Sequence, residues 1–183
     1  MISRDTDMPK EHMFEIGDAV VHPVRGAGIV TDIAKLKRRE GSRAYYKIRL
    51  LNHARTHLLL PIRDALAKGL RRAIRRTRLA QVWRVLRSTP DRLPSDYKKR
   101  HALLKRQIES GDILKVAAAV RDLAWRQKRQ DRLTITGQRI YQQGISMLAG
   151  EIAAAQGVKA QEAEAQVMDH LIMNVYPRSA QVT

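Results

Sequence analysis

The sequence predicts an α+β chain, with a small antiparallel β-barrel first and a bundle of α-helices after it. Three observations carry this. Residues 14–61 hold short runs rich in Val, Ile and Tyr, separated by Gly or charged turns, as small strands require. From residue 77 onward apolar residues recur at helical spacing. Between the two lies RRAIRRTR, residues 71–78, which continues neither pattern. The predicted organisation is a tail at 1–13, a barrel domain at 14–76, a helical domain at 77–176 and a loose tail at 177–183.

The barrel strands are read in GDAVVHP, RGAGIVTDI, SRAYYKIRLL and THLLLP. In the third run Ala44, Tyr46, Ile48 and Leu50 share one face, and Tyr45, Lys47, Arg49 and Leu51 share the other. The charged stretch KLKRREGSR reads as the loop between strands two and three. Gly26 and Gly28 fit a turn or a tight bend.

Residues 70–87 cannot form a single helix. Leu70 and Ile74 would define one apolar stripe, and Leu79, Val82, Trp83 and Leu86 another that coincides with the arginine face. A helix cannot bury a stripe and load it with five guanidiniums. The chain must break near Arg76 or Thr77. LRRAI reads as a last short strand, and Thr77 as the cap of a helix reaching Arg87.

Four more helices follow. Ser95 caps the segment DYKKRHALLKRQIES, which ends at Gly111, a good left-handed cap. Asp112 caps ILKVAAAVRDLAWRQKR. Thr134 or Thr136 opens a fourth helix ending near Gly157, and a fifth runs from about Lys159 to Val175.

Charge is the strongest functional signal. The chain has 35 Lys and Arg against 18 Asp and Glu, a formal charge of +17. Residues 71–130 alone hold 18 basic and 5 acidic side chains, whereas residues 131–183 hold 4 and 5. Concentration in one third of the chain points to a face for a polyanion. Nucleic acid fits better than an anionic membrane, because the basic segment lacks the Trp/Phe/Leu face of an interfacial helix. No apolar stretch approaches the roughly 20 residues of a membrane span, and the first residues read neither as a signal peptide nor as an anchor.

Catalytic patterns are missing. There is no Cys, so no thiolate metal site and no cysteine nucleophile. His53 and His57 stand close but lack carboxylate neighbours, and read as surface histidines. No phosphate-cradling Gly loop or nucleophile elbow is present. The expectation is a non-enzyme with no cofactor and no metal.

The candidate nucleic-acid contacts are Arg71, Arg72, Arg75, Arg76 and Arg78 at the joint, and Lys98, Lys99 and Arg100 at the start of the second helix. Taken singly, each reads as a solvated surface charge. As a group they suit phosphates, which with sugar take half to two-thirds of protein–DNA hydrogen bonds. The start of the second helix adds backbone N–H groups. Tyr97 is open to two readings: a packing residue at the helix entry, or an exposed ring able to stack on or wedge against a base. Trp83 and Trp125 read as core.

From Phe14 to about Ile152 the chain resembles the CarD family, also called CdnL, bacterial regulators that bind RNA polymerase. FEIGDAVVHPVRGAG matches that family's F-x-x-G-D-x-V-V-x-P-x-x-G signature. The run from Pro61 to GLRRAI fits the end of its barrel. QVWRVLR resembles its first helix, and YKKRHALLKRQIESGD followed by VRDL its most characteristic stretch. The resemblance implies a Tudor/SH3-like domain bound to the polymerase β subunit, a domain type shared with transcription-repair coupling factor. It also implies a helical domain that contacts promoter DNA at the upstream edge of the bubble and stabilises the open complex. A wedge tryptophan of the family falls on Tyr97, and the basic residues after it on Lys99 and Arg100. Polymerase-contact positions fall at Lys35, Lys37 and Leu59, with His57 beside them. The implied protein is a cytoplasmic, nucleoid-associated monomer. The competing reading is a general nucleic-acid or nucleoid-binding protein without polymerase contact.

Overall fold

The computed structural model describes residues 13–38, 41–52, 56–130 and 132–175. The tails expected at 1–13 and 177–183 lie outside them, apart from Met13. Among the described residues five strands precede five α-helices: β1 (Ala19–His22), β2 (Gly26–Arg38), β3 (Gly41–Leu50), β4 (His57–Pro61) and β5 (Arg71–Arg72), then α1 (Leu79–Arg87), α2 (Tyr97–Glu109), α3 (Ile113–Gln130), α4 (Ile135–Gln156) and α5 (Ala160–Val175).

All pairings are antiparallel, in the order β4-β3-β2-β1-β5. Among the described residues the sheet does not close into the expected barrel, and β4 and β5 are its two edges. β5 is only two residues long, and a 3-10 turn at Ile62–Asp64 followed by further turns leads to it from β4. The stretch expected to be a charged loop after Asp32 instead continues as ladder, with Lys35 opposite Ala44 and Arg38 opposite Gly41. Lys35, Leu36, Lys37, Ser42 and Arg43, at this end of the ladder, are all exposed.

Gly28 is required by close approach. A Cβ there would meet the Arg49 carbonyl oxygen at 2.7 Å and Ile48 Cγ2 at 2.5 Å. The ladder shifts between Val30 and Asp32, and Thr31 Oγ1 donates to the Lys47 carbonyl at 3.0 Å. This bulge bends β2 over a core of Phe14, Val20, Val30, Tyr46, Ile48, Leu60 and Leu70. Phe14 meets Tyr46 edge to face, with ring centroids 5.6 Å apart.

The helices enclose a second core built from Leu79, Val82 and Leu86 of α1, Leu104 and Ile108 of α2, Val116, Val120 and Leu123 of α3, Ile145, Leu148 and Ile152 of α4, and Val167 of α5. The predicted break in RRAIRRTR is present. β5 stops at Arg72, and a 3-10 turn spans Arg76–Arg78 before α1 starts. Thr77 does not cap α1, because it lies inside that turn, where the Arg78 N–H bonds to the Arg75 carbonyl. Asp96 rather than Ser95 caps α2, accepting from the Lys99 N–H at 2.8 Å. Gly111, Asp112, Thr134 and Gly157 take their expected terminal positions.

The two cores meet. α4 packs across β1 and β2. Both guanidinium NH groups of Arg71 reach the Glu151 carboxylate, at 2.6 and 2.8 Å, and its Nε donates to the Gly111 carbonyl at 2.8 Å. Glu151 also accepts from the Ile74 N–H at 3.1 Å. Asn52 adds a bond from Nδ2 to Ser146 Oγ at 2.9 Å.

Candidate nucleic-acid interface

The start of α2 carries the clearest solvent-facing group. Tyr97 is its first residue and is 55% exposed, which favours the exposed-ring reading over the packing one. Lys98 Nζ stands 6.0 Å from its ring centre, and the His101 ring meets it edge-on at 6.1 Å. Lys99 is also exposed. The helix start is not a free anion site, however. The Asp96 carboxylate already holds the Lys99 N–H, and its charge opposes an incoming anion there.

Arg100 is placed differently from its neighbours. It is 5% exposed, and NH1 donates to the carbonyls of Pro94 and Ser95 at 2.8 and 2.9 Å. It ties down the loop before α2 instead of facing solvent. Its spacing shows why: Arg100, Leu104 and Ile108 form one i, i+4, i+8 row, and all three are buried.

The five arginines of residues 71–78 divide. Arg71 is spent on Glu151 and Gly111. Arg72 pairs with Asp18 at 2.7 Å and lies 5.9 Å from the Phe14 ring centre. Arg75, Arg76 and Arg78 are exposed, with no acidic partner among the described residues. Arg78 Nε donates to Gln81 Oε1 at 3.2 Å.

The four expected polymerase-contact residues also divide. Lys35 and Lys37 stand opposite Ala44 and Ser42, on the face of β3 that holds Tyr46. His57 and Leu59 stand opposite Arg49 and Lys47, on the other face. All four are exposed. Leu59 and His57 sit on β4, whose outer edge pairs with no strand among the described residues.

Sequence reasoning assigned Trp125 to the core, but it is only partly buried and outside the apolar cluster. Lys128 Nζ and the Arg129 guanidinium lie 5.6 and 5.7 Å from its ring centre. Near it, burial and then Arg100 lower the pKa of Arg126. Burial, followed by Arg100 and Arg126, holds His101 below its ordinary range. Trp83 does pack against the helical core, partly buried and stacked on His170 at 4.4 Å.

Among the described residues no group of three or more His, Cys, Asp or Glu could hold a metal ion, and no helix is long and apolar enough to cross a membrane.

Two family models match the chain. Residues 14–74 match a CarD-like/TRCF RID domain, and residues 81–168 match the CarD C-terminal domain. The chain is also similar to a Bacillus subtilis (strain 168) protein named "Putative transcription factor YdeB". The two are 28% identical over 147 residues, covering 80% of this chain and 94% of the relative.

Proposed function

The chain belongs to the CarD family, and on that premise we propose how this regulator of transcription acts. Its sheet, of the polymerase-interacting type, binds the β subunit of RNA polymerase. Its helical part holds promoter DNA at the upstream edge of the bubble, and the joined complex stabilises the open promoter. The site of action is the cytoplasmic nucleoid.

The observation that carries the DNA half is Tyr97, an exposed ring at a helix start with Lys98 and Lys99 beside it. A flat ring there can press on an unstacked base step while the lysines take flanking phosphates. Arg75, Arg76 and Arg78 supply further phosphate contacts. Arg71 and Arg100 are held by bonds within the fold, whereas Arg72 is exposed and pairs at the surface with Asp18.

For the polymerase half, the open edge of β4 supports strand addition, in which main-chain bonds do most of the work. Leu59 offers apolar area at the position where a charge is expected. Lys35 and Lys37, on the opposite face, would touch the partner only from the hairpin end.

The test mixes the full chain with core polymerase and a promoter fragment. The expected result is co-purification with polymerase and a longer open-complex lifetime. Binding to DNA without any retention by polymerase would favour a general nucleic-acid-binding protein instead.

A further inference from the structure

A cationic pocket lies beside the proposed DNA face and is used by none of the contacts above. The loop at residues 90–93 and the last turns of α3 enclose about 200 Å³, with Arg92, Trp125, Arg126 and Arg129 in its walls. Two carboxylates also line it, but both are committed. Asp91 and Asp122 share the guanidinium of Arg121, at 2.8 and 2.7 Å. Arg92, Arg126 and Arg129 have no acidic partner among the described residues.

Three arginines line the pocket while its two carboxylates are tied to Arg121, which favours an anion, and the planar guanidinium fork matches a phosphate. A base is the poorer fit. Lys128 and Arg129 already lie against the Trp125 ring, so that ring is not a free stacking platform. The pocket also adjoins the start of α2: the loop that supplies Arg92 runs on through Pro94 and Ser95, whose carbonyls accept from Arg100, to Tyr97.

We propose that the pocket of Arg92, Arg126 and Arg129 receives one backbone phosphate of the nucleic acid whose base step meets Tyr97. This rests on the DNA reading above and adds a second anchor to it on α3.

The experiment measures the salt dependence of full-chain binding to a forked promoter duplex. It compares the unaltered protein with Arg126→Gln/Arg129→Gln, Arg126→Lys/Arg129→Lys and Lys98→Gln/Lys99→Gln. One lost phosphate contact should flatten the log–log slope by about 0.9. The expected result is that flattening in the Arg-to-Gln pair, with the slope retained in the Arg-to-Lys pair. Should the Arg-to-Gln pair melt early, Arg129→Gln alone is read in its place, since that side chain is exposed. An unchanged slope in the Arg-to-Gln pair, with a flattened one in the Lys98/Lys99 pair, overturns the pocket and leaves the DNA face standing. No binding by the unaltered protein overturns both.

Discussion

Arg71 and Glu151 close the junction between sheet and helices with two parallel N–H···O bonds, at 2.6 and 2.8 Å. The Glu151 side chain is 4% exposed and that of Arg71 34%. Three bonds converge on this carboxylate, counting that from the Ile74 N–H. A buried charge with its partners in place is tolerated, but one left alone is costly.

Arg71→Ala should therefore destabilise the protein by about 3 kcal/mol, the lower end of the range for orphaning a buried charge, because Arg71 is partly solvated. Glu151→Gln should cost less, since it leaves no carboxylate behind and the amide oxygen can still accept. Denaturant unfolding of the two variants checks the order, and equal losses would contradict it.

Limited proteolysis should nick the chain at residues 75–78 and spare 88–95. The first stretch is exposed and has few anchors. The second is held by Arg121 at Ser88 and Asp91, and by Arg100 at Pro94 and Ser95. The two fragments should elute together in gel filtration, joined through Arg71 and Asn52. Early cutting at 88–95 would show that these bonds do not restrain the loop.

Tyr97→Ala and Arg100→Ala should separate function from stability. Tyr97 is exposed, so its loss should change stability by no more than about 0.5 kcal/mol. It should shorten open-complex lifetime while duplex affinity and salt slope stay the same. Arg100→Ala should lower the melting temperature, because the Pro94 and Ser95 carbonyls lose their donor. A destabilised Tyr97 variant would make that ring a packing residue after all.

Stability should fall on acidification below neutrality. His22 Nδ1 accepts from the N–H groups of Val24 and Arg25, at 3.2 and 3.3 Å, which only the neutral ring can do. Burial, then Arg25 and Lys68, hold this imidazole below its ordinary value of 6.5. His101 and His170 are lowered as well, with burial the leading cause in each. The unfolded chain therefore binds protons that the folded chain resists. Stability from these groups is complete above about pH 6.5 and is lost as pH falls through the folded values. Melting temperature should drop from pH 7.5 to 5.5, and His22→Asn should flatten the profile. A rise on acidification would contradict the assignment.

The helices were legible because their ends are written locally: Asp112, Thr134, Gly111 and Gly157 act through neighbours a few residues away. The joint at Arg76 was legible from a clash of two stripes on one helix. Closure of the sheet was not, because it depends on whether β4 and β5 pair across the fold, and no local residue encodes that. At the site, charge marked the region but could not sort its members. Arg71 and Arg75 look alike in sequence, and only the arrival of Glu151 from α4, 80 positions later, makes the first an internal strut. Arg100 alone carried a usable signal, its alignment with Leu104 and Ile108.

The unpaired edge of β4 has a consequence for the protein in the absence of any partner. A bare strand edge is an invitation to a second copy of the same chain. Here Lys47 stands opposite Leu59 and Arg49 opposite His57, and Pro61 ends the strand. Two copies meeting edge to edge would pair HLLLP with HLLLP and leave the Lys47 and Arg49 of each copy one strand back from the seam, on chains that each carry +17. A neutral or acidic strand would meet no such opposition. The chain's own positive charge thus works against pairing with a second copy and not against a neutral or acidic strand. Because that rejection is electrostatic, concentrated salt would weaken it, and self-pairing would emerge under the same conditions that loosen the grip on nucleic acid.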